Sequence, residues 1–200
     1  MTGARVLVVR HGRTAWNTER FLGRSDVPLD DVGRAQAQTV ADVLDGHVVD
    51  RVWCSPLQRA VSTAQPLAER SGVVPKVRPG LSELDCGHWQ GQLKSDPSAK
   101  ISKRDPELAL PGGESVADAW RRVEAFLASV EAELSRGTSV VVAHYLVNQL
   151  LVAQLLGHPL DGALRSAAYR PSPGSVLELT LGVDGWRSVG YLVPVAGPAR

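Results

Sequence analysis

Residues 9–17 read Val-Arg-His-Gly-Arg-Thr-Ala-Trp-Asn, directly after the apolar run Val6-Leu7-Val8. An imidazole at position 11 thus stands between guanidiniums at positions 10 and 13. Two guanidiniums beside an imidazole attract a phosphate and oppose protonation of the ring. A neutral imidazole is a nucleophile, and histidine is among the side chains that form covalent intermediates. Phosphoryl transfer asks for such a nucleophile, for cationic donors on the equatorial oxygens, and for an acid on the leaving oxygen. Arg59, near a helix start, and His144, after the apolar run Thr138 to Ala143, have matching chemistry in matching places. Taken singly, each has a plainer reading: a strand-end histidine in a basic turn, a surface ion-pair partner, a satisfied core histidine.

The elements that must position these groups follow from periodicity. The short apolar runs Val6–Val9, Val52–Cys54 and Thr138–Ala143 read as buried strands, and Gly12 marks a sharp exit from the first. Asp30 or Asp31 caps a helix running to about Leu44, with Val32, Gln36, Val40 and Val43 on one face. Ser55 caps a second helix with Pro56 at its first position and Leu57, Val61, Ala64 and Leu67 as its buried stripe. Ser115 starts a long helix to about Arg136, burying Val116, Trp120, Val123, Leu127, Val130 and Leu134. A fourth helix, Leu146 to Leu156, closes at Gly157. Pro75 and Pro79 consign Val73–Val77 and Leu81–Leu84 to an edge or a loop. Ser175–Leu181 and Trp186–Leu192 form a hairpin about Asp184-Gly185. Strands alternating with helices predict an α/β fold around a mainly parallel sheet. Ligands of such sheets bind at the carboxyl ends of the strands, so His11, Arg59 and His144 are expected around one crevice.

Six segments, in order, carry a family resemblance. Arg10-His11-Gly12 with Thr14, Trp16 and Asn17 is similar to the signature of the histidine phosphatase superfamily, the phosphoglycerate-mutase-like proteins. Phe21 to Leu29 with Gly33-Arg34-Ala35-Gln36-Ala37, then Ser55-Pro56-Leu57-Gln58-Arg59-Ala60, resemble its next two motifs. Leu81-Ser82-Glu83-Leu84 with Gly87, Trp89 and Gly91 resembles its acid motif. Gly112-Gly113-Glu114-Ser115 and Val140-Val141-Val142-Ala143-His144 complete the set. The resemblance implies a three-layer α/β/α fold with a short cap insertion, residues 92–113, in a single domain spanning 1–200. It implies that His11 takes the phosphoryl group, that Arg10 and Arg59 clamp its oxygens, and that His144 adds a further contact. It also implies that Glu83 donates a proton to the leaving group and later accepts one from water, and that Asn17 donates to the phosphate. Gly23, Arg24 and Tyr145 are read as lining the substrate site. The family often has glycine where Tyr145 stands, and the ring is expected at the substrate mouth, with core packing as the alternative.

Composition narrows the partners. The charges balance, 22 basic against 21 acidic residues for a net +1, which gives no support to broad nucleic-acid or membrane-surface binding. The two cysteines, Cys54 and Cys86, lack metal-ligand spacing and read as free thiols in a reducing compartment. With no leader pattern and no apolar run of ~18 residues, the expected location is the cytoplasm. No metal or other cofactor is expected, because arginines neutralise charge and no acidic ligand cluster is evident. Trp53 and Trp120 are expected in the core, Trp16 and Trp89 as pocket walls. Lys94, Lys100, Lys103 and Arg104, with Arg24, fit a second anionic group on the substrate or, equally, a solvated loop.

Within the family, cofactor-dependent mutases carry a longer, arginine-rich segment after the acid motif. Here Asp85-Cys86-Gly87-His88-Trp89-Gln90-Gly91 and a shorter segment follow, resembling the smaller phosphatases. The expected activity is therefore a phosphomonoesterase, acting through a phosphohistidine on a small phosphorylated metabolite and releasing inorganic phosphate. The alternatives are a phosphoglycerate mutase-type phosphotransferase and a non-catalytic phospho-ligand scaffold. The oligomeric state stays open, with a homodimer among the choices.

Overall fold

The computed structural model of the chain describes residues 3–96, 105–165 and 169–193. Six strands, β1 (Arg5–Arg10), β2 (Arg51–Cys54), β3 (Lys76–Val77), β4 (Thr138–Ala143), β5 (Val176–Gly182) and β6 (Gly185–Val193), form one sheet in the order β3-β2-β4-β1-β5-β6. The first four strands of that order pair in parallel, while β5 and β6 add an antiparallel hairpin. The described residues form six α-helices: α1 (Asp31–Val43), α2 (Gln58–Ser71), α3 (Val116–Ser129), α4 (Glu131–Leu134), α5 (Tyr145–Leu155) and α6 (Leu160–Arg165).

β1, β2 and β4 are covered on both faces, which is why they read as unbroken apolar runs rather than as alternating ones. Val6, Val8, Trp53, Val141 and Ala143 pack with Val123 and Phe126 of α3 and Leu150 and Leu151 of α5. Leu7, Val9, Val52, Cys54, Val140 and Val142 pack with Val40 and Ala41 of α1 and Ala60, Ala64 and Leu67 of α2. Neighbouring residues along each strand thus face opposite helix layers. This is the α/β/α sandwich around a mainly parallel sheet that the sequence predicts.

Local differences have identifiable causes. α1 buries Gly33, Ala37, Val40 and Ala41, and leaves Val32 exposed, so its inner face is rotated from the apolar stripe. The rotation turns Gly33 toward the loop after β1: a Cβ on Gly33 would lie 2.0 Å from the Arg13 carbonyl oxygen. α2 begins at Gln58, later than expected, and Ser55 is not its cap. Its first N–H donates instead to the Asp26 carboxylate at 2.7 Å. Ser115 caps α3 through a capping box with Asp118. The long helix is interrupted at Val130 (φ −128°, ψ 13°), after which α4 returns Leu134 to the core. Leu81 closes a 3-10 turn, Pro79–Leu81, and 82–86 is irregular rather than extended. α6 has no counterpart in the sequence expectation, because Gly162 breaks the periodic signal there. Of the cap residues singled out for charge, Lys100, Lys103 and Arg104 lie outside the described residues.

Candidate active site

Strand register brings the chemistry together. Arg10 of β1 pairs with Ala143 of β4, and Cys54 of β2 pairs with Val142 of β4. The next residue on each strand is therefore His11, His144 or Ser55, side by side at the carboxyl edge of the sheet. The ladder continues one step past the strands: the His11 N–H donates to the Ala143 carbonyl at 3.0 Å and the Ser55 N–H to the Val142 carbonyl at 3.0 Å. The His11 and His144 ring centroids lie 5.1 Å apart.

The tautomer of His11 is fixed by its own backbone. Nδ1 lies 2.7 Å from the Gly12 carbonyl oxygen, which can only accept, so Nδ1 carries the proton and Nε2 keeps its lone pair. The Gly12 peptide is held in turn by its N–H, which donates to the Thr63 hydroxyl at 3.0 Å; that hydroxyl donates to the Arg59 carbonyl at 2.7 Å. Burial, then the charges of Arg10 and Arg59, hold the His11 pKa well below 6.5. His144 is likewise held well below 6.5, first by burial and then by Arg59, His11 and Arg10. Both rings are neutral near pH 7.

Arg59 has no exposed surface. Its Nη1 donates to the Ser25 carbonyl at 2.7 Å and Nη2 to the Gly23 carbonyl at 2.8 Å, while Nε has no partner among the described residues. Gly23 adopts φ +48°, and a Cβ there would run into the Gln90 side chain, so this carbonyl is presented by a turn that favours glycine. Arg10 donates from Nη1 to the Pro171 carbonyl at 2.7 Å, and its Nε is also unpartnered. Neither guanidinium meets a carboxylate in an ion pair among the described residues. Each keeps its charge and several N–H donors for a ligand.

Arg10, His11, Asn17, Gly23, Glu83 and Tyr145 line a cleft of about 350 Å³, whereas His144 and Arg59 are fully buried and do not line it. Glu83 accepts from the Leu84 N–H at 3.0 Å and from the Leu146 N–H at 3.4 Å, which places its carboxylate at the start of α5. Asn17 accepts through Oδ1 from the Thr14 N–H at 2.6 Å and the Thr14 hydroxyl at 3.0 Å. Its Nδ2 donor has no partner among the described residues. Tyr145 is half-buried, with its ring 5.1 Å from the Arg10 guanidinium carbon in a cation–π arrangement. It lines the cleft and is not among the buried core residues.

Arg24, expected to line the substrate site, lies beside Glu83, whose backbone carbonyl accepts from its Nε at 3.4 Å. It does not line the cleft; it pairs with Glu114 at 3.2 Å and Asp85 at 3.5 Å. Two carboxylates within reach of a half-exposed guanidinium satisfy it before any substrate arrives. Trp16 and Trp89 also fall outside the lining. The aromatic residues of the lining are Phe21 and Tyr145, and the Trp89 ring lies 6.0 Å from that of Phe21 between centroids. Arg20, Phe21, Leu22, Leu84, Cys86, Lys94 and Leu146 complete the cleft. Phe21, Leu22 and Leu84 fall within motifs, but nothing in their spacing marks which of them face inward. A larger groove of about 630 Å³, between Trp120 and Trp186, is lined by His158, Glu124 and Glu131 but by no guanidinium, so it lacks the cationic donors that a phosphoryl group needs.

Comparison with known proteins agrees with this geometry. The family model of the histidine phosphatase superfamily (branch 1) matches residues 6–193. Glucosyl-3-phosphoglycerate phosphatase of Mycobacterium tuberculosis is 35% identical over 175 residues, covering 80% of this chain and 78% of that protein. A Yersinia enterocolitica protein named "Probable phosphoglycerate mutase GpmB" is 30% identical over 205 residues, covering 96% and 92%. The solved native structure of mycobacterial glucosyl-3-phosphoglycerate phosphatase superposes with a TM-score of 0.83 at 29% identity, over 96% of this chain and all of that one. The motif-bearing loops, the sheet order that gathers them and the span of the match lead to one conclusion: this chain belongs to the histidine phosphatase superfamily, branch 1.

Proposed function

We propose that this protein is a phosphomonoesterase that hydrolyses small phosphorylated metabolites through a phosphohistidine on Nε2 of His11. The observation that carries the proposal is the state of that ring: Nδ1 donates to the Gly12 carbonyl and Nε2 keeps its lone pair, on a residue that lines the cleft under the charges of Arg10 and Arg59. In the first step Nε2 attacks phosphorus and the bond to the ester oxygen breaks, with the Glu83 carboxyl giving its proton to the departing alkoxide. In the second, water attacks phosphorus, Glu83 takes a proton from it, and the N–P bond breaks to regenerate neutral His11. The balance is one phosphate ester plus water giving one alcohol plus inorganic phosphate. Arg10 and Arg59 neutralise the equatorial oxygens, with Asn17 Nδ2 and His144 as further donors, so the reading calls on no metal. Relatives bearing phosphatase names support it.

Residues 1–200 are read as one catalytic unit built on the single sheet. The free thiols Cys54 and Cys86 fit a reducing, cytoplasmic setting, and no helix among the described residues is long and apolar enough to cross a membrane. Nothing in the site favours nucleic acid or lipid. The mutase alternative has a relative of that name behind it. A phosphate-release screen over sugar phosphates, phosphoglycerates, phosphoserine and phosphorylated cofactor precursors tests the proposal. Phosphate release from at least one supports it. Phosphoglycerate interconversion without net release would give the mutase, and neither activity in the folded protein would leave a binding scaffold.

A further inference from the structure

Ser55 sits where a helix cap is expected, but the cap of α2 comes from Asp26 and the serine hydroxyl turns instead to His144. We infer that Ser55 is a positioning residue whose hydroxyl holds His144 as the neutral tautomer protonated on Nδ1, making that ring an N–H donor to the transferring phosphoryl group. The last clause rests on the phosphatase reading; the tautomer is a property of the resting protein.

The argument is an accounting of protons in a closed space. Ser55 and His144 are both fully buried, and Ser55 Oγ lies 2.7 Å from His144 Nε2. A serine hydroxyl has one proton and two lone pairs. One lone pair faces the Leu57 N–H at 3.3 Å. Suppose His144 carried its proton on Nε2 and gave it to the second lone pair. The serine proton would then need another acceptor, and none contacts Oγ among the described residues. A buried donor left unpaired in this way is costly. Nδ1 would also be a bare lone pair on a ring 5.1 Å from the nucleophile, repelling any phosphoryl oxygen placed there. With the hydroxyl donating to Nε2, every proton around Ser55 has an acceptor, and the single ring proton sits on Nδ1. That nitrogen is buried with no protein partner among the described residues, which leaves a bound ligand as the acceptor for its proton. Burial and the neighbouring Arg59 and Arg10 keep the ring neutral, so the choice of nitrogen alone decides whether it donates or repels. His11 is fixed by a carbonyl acceptor and His144 by a hydroxyl donor. The two adjacent rings thereby have opposite polarity toward phosphorus, lone pair on one and N–H on the other.

Two-bond ¹H–¹⁵N correlation spectra of protein labelled at histidine nitrogen read the tautomer directly, with the His144 signals assigned by their loss in His144→Gln. The inference predicts a protonated Nδ1 and a lone-pair Nε2 in the wild type, and a shift toward the Nε2-protonated form or a mixture in Ser55→Ala. Inhibition by inorganic phosphate should weaken roughly 10–100-fold in Ser55→Ala, the loss expected for a hydrogen bond to a charged group. A wild-type ring protonated on Nε2 overturns the inference, and that spectrum decides the matter even if Ser55→Ala fails to fold. A folded Ser55→Ala with unchanged tautomer and unchanged phosphate inhibition overturns it as well. Failure of the wild type to release phosphate from any ester would strike the phosphatase reading instead, leaving the tautomer result to stand by itself.

Discussion

Two sets of arginines near the cleft are held in opposite ways: Arg10 and Arg59, the floor pair beside the two histidines, and the more exposed Arg24 and Arg13, the rim pair. At the floor, Arg10 and Arg59 are held by the backbone carbonyls of Pro171, Gly23 and Ser25. At the rim, Arg24 is held by Asp85 and Glu114, and Arg13 by Asp30. A carbonyl orients a guanidinium without cancelling its charge, whereas a carboxylate does both. The floor therefore keeps two cations beside a neutral imidazole in a buried, low-dielectric setting, where a dianionic ligand gains most. The rim is electrostatically settled before a ligand arrives. Burying unpaired charge is costly for the folded protein, and a protein keeps such a feature where binding repays it.

The contrast is tested first at Arg59. Arg59→Ala removes a preorganised contact to the transferring oxygens and should lower turnover ~10²–10³-fold, measured as kcat/KM on any ester the wild type hydrolyses. An effect within a few-fold in a folded variant would break the distinction between floor and rim. Glu83→Gln sharpens it from the opposite wall of the cleft. Loss should be large, ~10²–10⁴-fold, with poor leaving groups such as alkyl phosphates, and much smaller with nitrophenyl phosphate, whose leaving oxygen barely needs a proton. Equal losses on both would remove Glu83 as the proton donor.

Two of these relations were legible before any coordinates. His11 and His144 each end an apolar run, and a parallel sheet gathers such ends at one edge. What the sequence does not show is which polar atom answers which. Ser55 has the helix-capping preference and sits before Pro56, so local rules assign it to α2; only the register of β2 against β4 puts it on His144. Arg24 lies in the same motif as Gly23, and only tertiary packing brings Asp85 and Glu114 to it. The inner face of α1 is set by close approach at Gly33, which a hydrophobic stripe cannot report. Strand-end chemistry is thus readable from local pattern, while tautomer, charge cancellation and helix rotation depend on contacts distant in sequence.

A third expectation concerns pH. Both floor histidines have folded pKa values well below 6.5, with burial as the leading cause. Between their folded and unfolded pKa values the unfolded chain binds more protons than the native one. Stability is therefore full above pH 6.5 and declines as the pH falls below it, by ~1.4 kcal/mol per pH unit for each ring. Urea unfolding between about pH 5 and pH 7 checks this, and His144→Gln should flatten the slope. A slope of the opposite sign would contradict neutral floor rings. The smallest effect belongs to the rim. Arg24→Ala breaks half-exposed ion pairs worth about 0–1 kcal/mol and should leave KM and kcat within about two-fold of wild type. A large rise in KM would place Arg24 on the substrate after all and blur the contrast.

The central claim is a covalent bond at His11, and direct detection of it is the sharpest test. Rapid quenching in base during turnover, followed by mass spectrometry of the peptide that contains residue 11, should find a phosphoryl group on the imidazole. The adduct should survive base, be lost in acid as a phosphoramidate is, and vanish in His11→Ala, whose turnover should fall on the order of 10⁴-fold while its fold persists. Turnover without a phosphohistidine, an adduct on another residue, or substantial activity in folded His11→Ala would each contradict the account.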